Sequence, residues 1–219
     1  MKTILEFDNV SFTWPGGQGL RNVQLNVPAG AFVRIVGPSG SGKSTLLRLA
    51  CRMEEPSSGI IRYSGMPLGD YEPPMLRRRI GYVQQTPLVV EGTVRQNLLL
   101  PYSFAANKEQ TLPADNSLRD WLTRLGLFGV DLESKARSLS VGQRQRLCII
   151  RSLLLEPDLL LMDEPTSALD SESRRIVEEM TESQNRGGMT ILMVTHSDYT
   201  PSTAHTTVTV HEGLLEVAK

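Results

Sequence analysis

One short run, GPSGSGKST from Gly37 to Thr45, constrains this chain more than any other. It fits the pattern G-x-x-x-x-G-K-[ST] and lies between the apolar FVRIV and the helical pattern LLRLA, the strand–loop–helix setting that such a loop requires. Gly37, Gly40 and Gly42 can adopt positive φ and turn backbone N–H groups inward, with Pro38, Ser39 and Ser41 completing the curl. Free N–H groups at a helix start attract anions, so the loop is expected to wrap the phosphates of a nucleotide. Lys43 would reach the β- and γ-phosphates, Ser44 would offer its hydroxyl to Mg²⁺, and Thr45 would reach the α-phosphate. A chance match is the rival reading, and the strand and helix on either side argue against it.

The rest of the composition narrows the partners. The chain has 219 residues, 40% of them apolar, enough for one large domain or a core carrying an inserted subdomain. Its net charge of −1 provides no basic field for nucleic acid. The run Arg77-Arg78-Arg79 reads as a solvated helix end, with a phosphate or partner contact as the alternative. Cys51 and Cys148 fall in apolar helical patterns and read as buried free thiols, consistent with a reducing cytosol. No run reaches the roughly 18 apolar residues of a membrane span. The start, MKTILEFDNV, carries Glu6 and Asp8 and alternates like a strand, so a signal peptide is not expected.

Along the chain, ILEF, VQLNV and FVRIV read as short strands separated by Pro/Gly turns, and GIIRYSG as another. A helix is expected from Lys43 to Arg52, another from Glu72 to Arg79, and IGYVQQ reads as a strand ending in a polar loop. From Thr93 to Glu156 helical patterns take over: TVRQNLLL, SLRDWLTRLGLF and the helix behind LSVGQ. DLLLMDEP then reads as a fully buried parallel strand, Ser171 to Asn185 as an amphipathic helix, MTILMVTH as a second buried strand, and TTVTVHEGLLEV as two edge-type strands about Glu212-Gly213. The expected architecture is a single α/β domain over 1–219. Its core and β portion would take 1–85 and 157–219, with a helical insert at 86–156.

Further residues carry candidate chemistry. Asp163 closes the buried run LLLMD, where a carboxylate beside a phosphate loop can hold Mg²⁺ through water, and Glu164 could take a proton from an attacking water; a helix cap or turn is the bland alternative. His196 follows MVT and would emerge on the same carboxyl edge, in reach of a γ-phosphate, although a lone His is more often ordinary core or surface. Gln85 closes a strand and could reach Mg²⁺ or water from its loop. Trp14 could stack on a base, with Phe12 as the alternative stacking residue and packing within its own hairpin as the rival. LSVGQRQR is a second anion candidate: Ser140 and Gly142 open a helix whose apolar positions are Leu147, Ile150 and Leu154.

The phosphate loop, Gln85, LSVGQ, MDEP, SALD and His196 occur in that order over essentially the whole chain, and together they resemble the ATP-binding subunit of an ABC transporter. The resemblance implies a P-loop NTPase fold with a RecA-like core, an antiparallel β subdomain and an inserted helical subdomain. It implies ATP as substrate, Mg²⁺ as cofactor, and an ATPase powering transport from the cytoplasmic face of the inner or plasma membrane. Such a subunit is peripheral to the membrane and soluble when isolated. Leu139, Ser140, Val141, Gly142 and Gln143 resemble the signature that caps ATP bound to a second, like subunit, so each site would be built from two chains. Ser167, Ala168, Leu169 and Asp170 resemble the loop that couples the two sites. An integral membrane permease is the other implied partner, received on the surface Gln85 to Pro101.

Two positions depart from the usual pattern. Val141 stands where the signature usually has Gly, so this position is expected to keep an ordinary backbone conformation. Gln84 stands where Pro usually precedes the sensor, and Gln85 is taken as that sensor. The stretch from Gln85 to Pro101 also resembles, more weakly, iron- or metal-export ATPases, with lipoprotein-release and macrolide-type ATPases as rival likenesses. The alternative of another class is a soluble ATPase of the same superfamily uncoupled from transport. Those chains carry a long coiled coil before the signature, and no sustained heptads occur here.

Overall fold

The structure is a computed structural model that describes residues 2–17, 19–195 and 199–218. Its centre is β3 (Phe32–Val36), which runs into the phosphate loop and then α1 (Lys43–Ala50). Around β3 lies a six-stranded sheet of order β10-β9-β3-β8-β7-β6, where β6 is Ile80–Val83, β7 Leu159–Asp163, β8 Thr190–Val194, β9 His205–His211 and β10 Leu214–Ala218. All its neighbours pair in parallel except β9 and β10, a hairpin. Every residue of β7 and β8 is buried, which is why LLLMD and TILMV read as unbroken apolar runs.

The sheet's two faces carry separate cores. Ile35, Leu159, Leu161, Leu192 and Val194 pack with α1 and with a second, antiparallel sheet. That sheet has the order β2-β1-β4-β5: β1 is Thr3–Thr13, β2 Gly19–Pro28, β4 Ser58–Tyr63 and β5 Met66–Pro67. The residues between them in register, Leu160, Met162, Ile191 and Met193, face the other way. There they join Val94, Leu98, Leu118, Leu122, Leu147 and Ile150 from α3 (Val94–Leu99), α4 (Asp115–Arg124) and α5 (Val141–Leu153), together with Val177 of α6 (Ser171–Arg186). The helical stretch therefore shares one apolar cluster with the sheet it covers. Cys51 and Cys148 are both buried and free. Burial raises both thiols, Cys51 to about 11, so neither is a ready nucleophile.

Three sequence expectations change. TTVTV is not an edge: β9 sits between β3 and β10, parallel to β3, and only β10 is at the margin. Its alternating threonines resembled an exposed strand, but Val208 and Val210 are fully buried and the backbone still pairs on both sides. The helix expected through LTRLGLF stops at Arg124. Gly126 takes φ 65°, its N–H bonds Thr123 O, and Leu127 N–H bonds Leu122 O, a Schellman stop that buries Leu127. The helix expected to run to Arg52 ends at Ala50, and Arg52 itself takes φ 54°.

Candidate functional site

The phosphate loop has the backbone its glycines suggested. Gly37, Gly40 and Gly42 take φ of 144°, 76° and 112°. A Cβ at Gly37 would lie 2.0 Å from Val210 O, which excludes a side chain there, while one at Gly42 would press on a Leu20 methyl at 2.6 Å and strain the backbone at its φ. At Gly40 nothing lies within 4 Å, so the curl faces open space. Lys43 bends back to donate to Gly37 O (2.9 Å) and Pro38 O (2.8 Å). Burial lowers its pKa, opposed by the nearby Glu164 and Asp163 carboxylates. Ser41 Oγ is buried without a partner among the described residues, a polar atom a ligand could satisfy.

The carboxyl end of β7 brings the acids to this loop. Ser44 Oγ donates to Asp163 Oδ1 at 2.9 Å, and Tyr82 Oη donates to Oδ2 at 3.3 Å. Burial pushes the Asp163 carboxyl up, and the bond from Ser44 opposes that. Burial, and then the Asp163 charge, pushes the Tyr82 phenol to about 12, so it remains a donor at neutral pH. Glu164 sits at φ 47°, a conformation uncommon outside glycine, just before Pro165. Its Oε2 accepts from Gln85 Nε2 at 2.7 Å. A cavity of about 280 Å³ opens here, lined among others by Trp14, Gly40, Lys43, Thr45, Gln85 and Glu164. Trp14 meets Phe12 edge-to-face at 6.2 Å while its ring edge reaches the loop at Gly42, so stacking in the hairpin and a place in the cavity coexist. A neighbouring cavity of about 350 Å³ is lined by Tyr82, Gln84, Gln85 and Asp163, whereas those of about 650 and 530 Å³ gather no comparable set of acids beside a phosphate loop.

The donors suit Mg²⁺. Among the described residues no three His, Cys, Asp or Glu cluster as an all-protein metal cage. One hydroxyl, one carboxylate and a neighbouring amide at an anion cradle match a hard cation that takes most of its ligands from phosphate and water.

LSVGQ stands apart: among the described residues, none from Leu139 to Gln143 lines that cavity. Leu139 is buried, while Ser140 caps α5 in a reciprocal capping box with Gln143. Val141 is the first helical residue, 47% exposed and outside the left-handed region, so the backbone accepts its branched side chain as expected. Gly142 abuts the next motif: a Cβ there would lie 3.1 Å from Leu169 Cδ2. In that motif Ser167 donates to Glu164 O, Ala168 is exposed, and Asp170 caps α6. His196 lies outside the described residues.

Sequence reasoning missed three residues near the site. Tyr82 is one. Gln145 donates to Gln84 O at 3.0 Å, tying α5 to the loop that carries Gln85. Arg146, nearly buried, donates to Leu125 O and Gly126 O, holding the start of α5 against the end of α4. The only signal for Gln145 and Arg146 was two polar residues in a helix that is otherwise apolar toward the core.

The family model for "ABC transporter" matches residues 20–167. The ABC-type transmembrane transporter verA of Clonostachys rogersoniana is 35% identical over 222 residues, covering 96% of this chain and 17% of its own length. This chain thus spans less than a fifth of that relative. The post-hydrolysis dimer of the ATP-binding cassette MJ0796 with ADP and Pi superposes with a TM-score of 0.88 at 29% identity, covering 99% of this chain and 98% of that one. A bacterial Atm1-family ABC exporter with ATP bound gives 0.86 at 25% identity over 98% of this chain and 38% of that one. A phosphate loop, an acid pair at the end of a buried strand and a capped LSVGQ helix thus occur on the same fold: the chain is a nucleotide-binding domain of the ABC transporter family.

Proposed function

We propose that this chain hydrolyses ATP to drive an ABC transporter, working as a dimer in which each nucleotide is held between two copies. The observation that carries this reading is the convergence of Lys43, Ser44 and the Gln85–Glu164 pair on one cavity, with Asp163 bonded to Ser44 from behind it and Ser140 outside it. The loop from Gly37 to Thr45 holds the phosphates, and Lys43 exchanges its carbonyl partners for phosphate oxygens. Glu164 accepts the proton of the attacking water, Gln85 orients that water, and His196 bonds the γ-phosphate. Ser44, Asp163 and Gln85 would hold Mg²⁺, which when bound offsets the charge that builds on the phosphates. Ser140 Oγ and the N–H of Gly142 complete the site in the other copy.

A membrane permease seated on 85–101 is the second partner. What supports it is the membrane transporters among the relatives and an apolar surface there, with Leu88 61% and Val90 43% exposed. We place the chain peripherally on the cytoplasmic face of that membrane; among the described residues no helix is long and apolar enough to cross it. The division into a core of 1–85 and 157–219 and a helical lobe of 86–156 belongs to the same reading. What supports iron or metal as cargo is the resemblance of Gln85 to Pro101 alone.

Turnover by the purified chain tests the shared site. Because each site needs two chains, specific activity should rise with protein concentration; a constant specific activity from the lowest concentration upward would contradict it. Trp14→Ala should weaken ATP binding by about 1–3 kcal/mol, the usual range for base–aromatic stacking, while tripolyphosphate binding stays unchanged. Equal losses for both ligands in a calorimetric titration would assign Trp14 to packing instead.

A further inference from the structure

Asp163 has two oxygens, and both are held. Ser44 takes Oδ1 at 2.9 Å, and the other oxygen, Oδ2, takes the hydroxyl of Tyr82 at 3.3 Å. Sheet register brings the second pair together. β6 and β7 are parallel with Tyr82 opposite Leu161, and Asp163 lies two residues beyond Leu161. Side chains alternate along a strand, so Tyr82, Leu161 and Asp163 share one face, and Tyr82 reaches Asp163 diagonally. That face is the one packed on α1, where the Tyr82 ring lies against the apolar cluster containing Leu159 and Leu161.

The ring packs on that cluster while staying partly exposed, and its single O–H points at one carboxylate oxygen. Asp163 is itself only 3% exposed, while a cavity of about 350 Å³ lined by Tyr82, Gln85 and Asp163 opens beside the pair. A carboxylate bonded at both oxygens turns less freely about its Cβ–Cγ bond than one bonded at Oδ1 alone. Its other oxygen stays directed to Ser44, where the metal-binding hydroxyl lies.

We propose that Tyr82 is a positioning residue: it fixes the rotation of the Asp163 carboxylate so that Oδ1 and the Ser44 hydroxyl are presented together to the divalent cation that enters with ATP. This rests on the nucleotide reading above. Groups that orient a metal ligand from behind typically change metal affinity about 10–100-fold when removed. A residue that only fills space would not act on the metal in particular.

Tyr82→Phe keeps the ring and removes the hydroxyl. In the full chain, binding of the fluorescent analogue N-methylanthraniloyl-ATP is titrated with Mg²⁺ and, separately, in EDTA. The expected result is that the Mg²⁺ concentration for half-maximal enhancement of binding rises about tenfold or more, while affinity in EDTA stays within about twofold of wild type. Asp163→Asn should remove the Mg²⁺ enhancement altogether and mark the limit of the effect. An unchanged Mg²⁺ requirement in Tyr82→Phe overturns the proposal. So does an equal loss in EDTA, which would make Tyr82 a packing residue. If the wild-type chain binds no nucleotide, the reading above fails; if it binds with a normal Mg²⁺ response that Tyr82→Phe leaves untouched, only the role of Tyr82 fails.

Discussion

Glu164→Gln is expected to lower ATP turnover by about 10²–10⁴-fold, the usual contribution of a positioned general base, without weakening ATP binding. The substitution is nearly isosteric. An amide oxygen can still accept from Gln85 Nε2, which now lies 2.7 Å from the carboxylate, so the loop after β6 keeps its anchor. On the proposed reading, what is lost is the acceptor for the proton of water, and with it a negative charge near where the γ-phosphate would lie. Glu164 and Asp163 both act on Lys43, so this charge belongs to the field of the site. Removing it relieves repulsion with the phosphate and blocks the step that empties the site. The variant should therefore accumulate as an ATP-loaded dimer on size exclusion in ATP and Mg²⁺, carrying ATP rather than ADP. A variant that turns over normally, or that stays monomeric under saturating ATP, would count against the shared site.

Ser140→Arg should cut hydrolysis severely and leave nucleotide binding by the single chain intact. Ser140 is exposed at the start of α5 and lines no part of the cavity that holds Lys43 and Glu164. Its replacement removes a cap worth about 1 kcal/mol, a loss a domain of this size tolerates as a fall of roughly 2–4 °C in Tm. Turnover should fall by about 10²–10³-fold, as when one donor to a developing oxyanion is removed, because a bulky cation takes the place of a hydroxyl at the joint between copies. Mixing this variant with Lys43→Ala should restore activity, since the mixed dimer holds one intact phosphate loop facing one intact Ser140. Loss of ATP binding by Ser140→Arg alone, or no recovery on mixing, would place Ser140 outside the role given to it.

How far the sequence disclosed this site depends on the range of each interaction. The loop from Gly37 to Thr45 was legible because its cause is local: a strand, three glycines and a helix start. The place of Asp163 and Glu164 was legible only because an apolar run ends on them downstream of a phosphate loop; alone, such a pair reads as a cap or turn. Val141 was legible too, since a β-branched residue at a helix start needs only ordinary φ. Tyr82 was not. Its hydroxyl meets Asp163 through the pairing of strands far apart in the chain, and IGYVQQ by itself says nothing of that register. Arg146 and Gln145 were hidden for the same reason, as their partners are carbonyls 20, 21 and 61 residues away. In β9 the pattern misled, because alternating Thr and Val fits an edge strand and an interior one equally until the neighbours are known.

The most direct measurement is a crystal structure of Glu164→Gln loaded with ATP and Mg²⁺. The account predicts that the γ-phosphate cradled by Lys43 of one copy lies within hydrogen-bond distance of Ser140 Oγ from the other. A loaded state in which Ser140 of both copies stands well away from either γ-phosphate would contradict it.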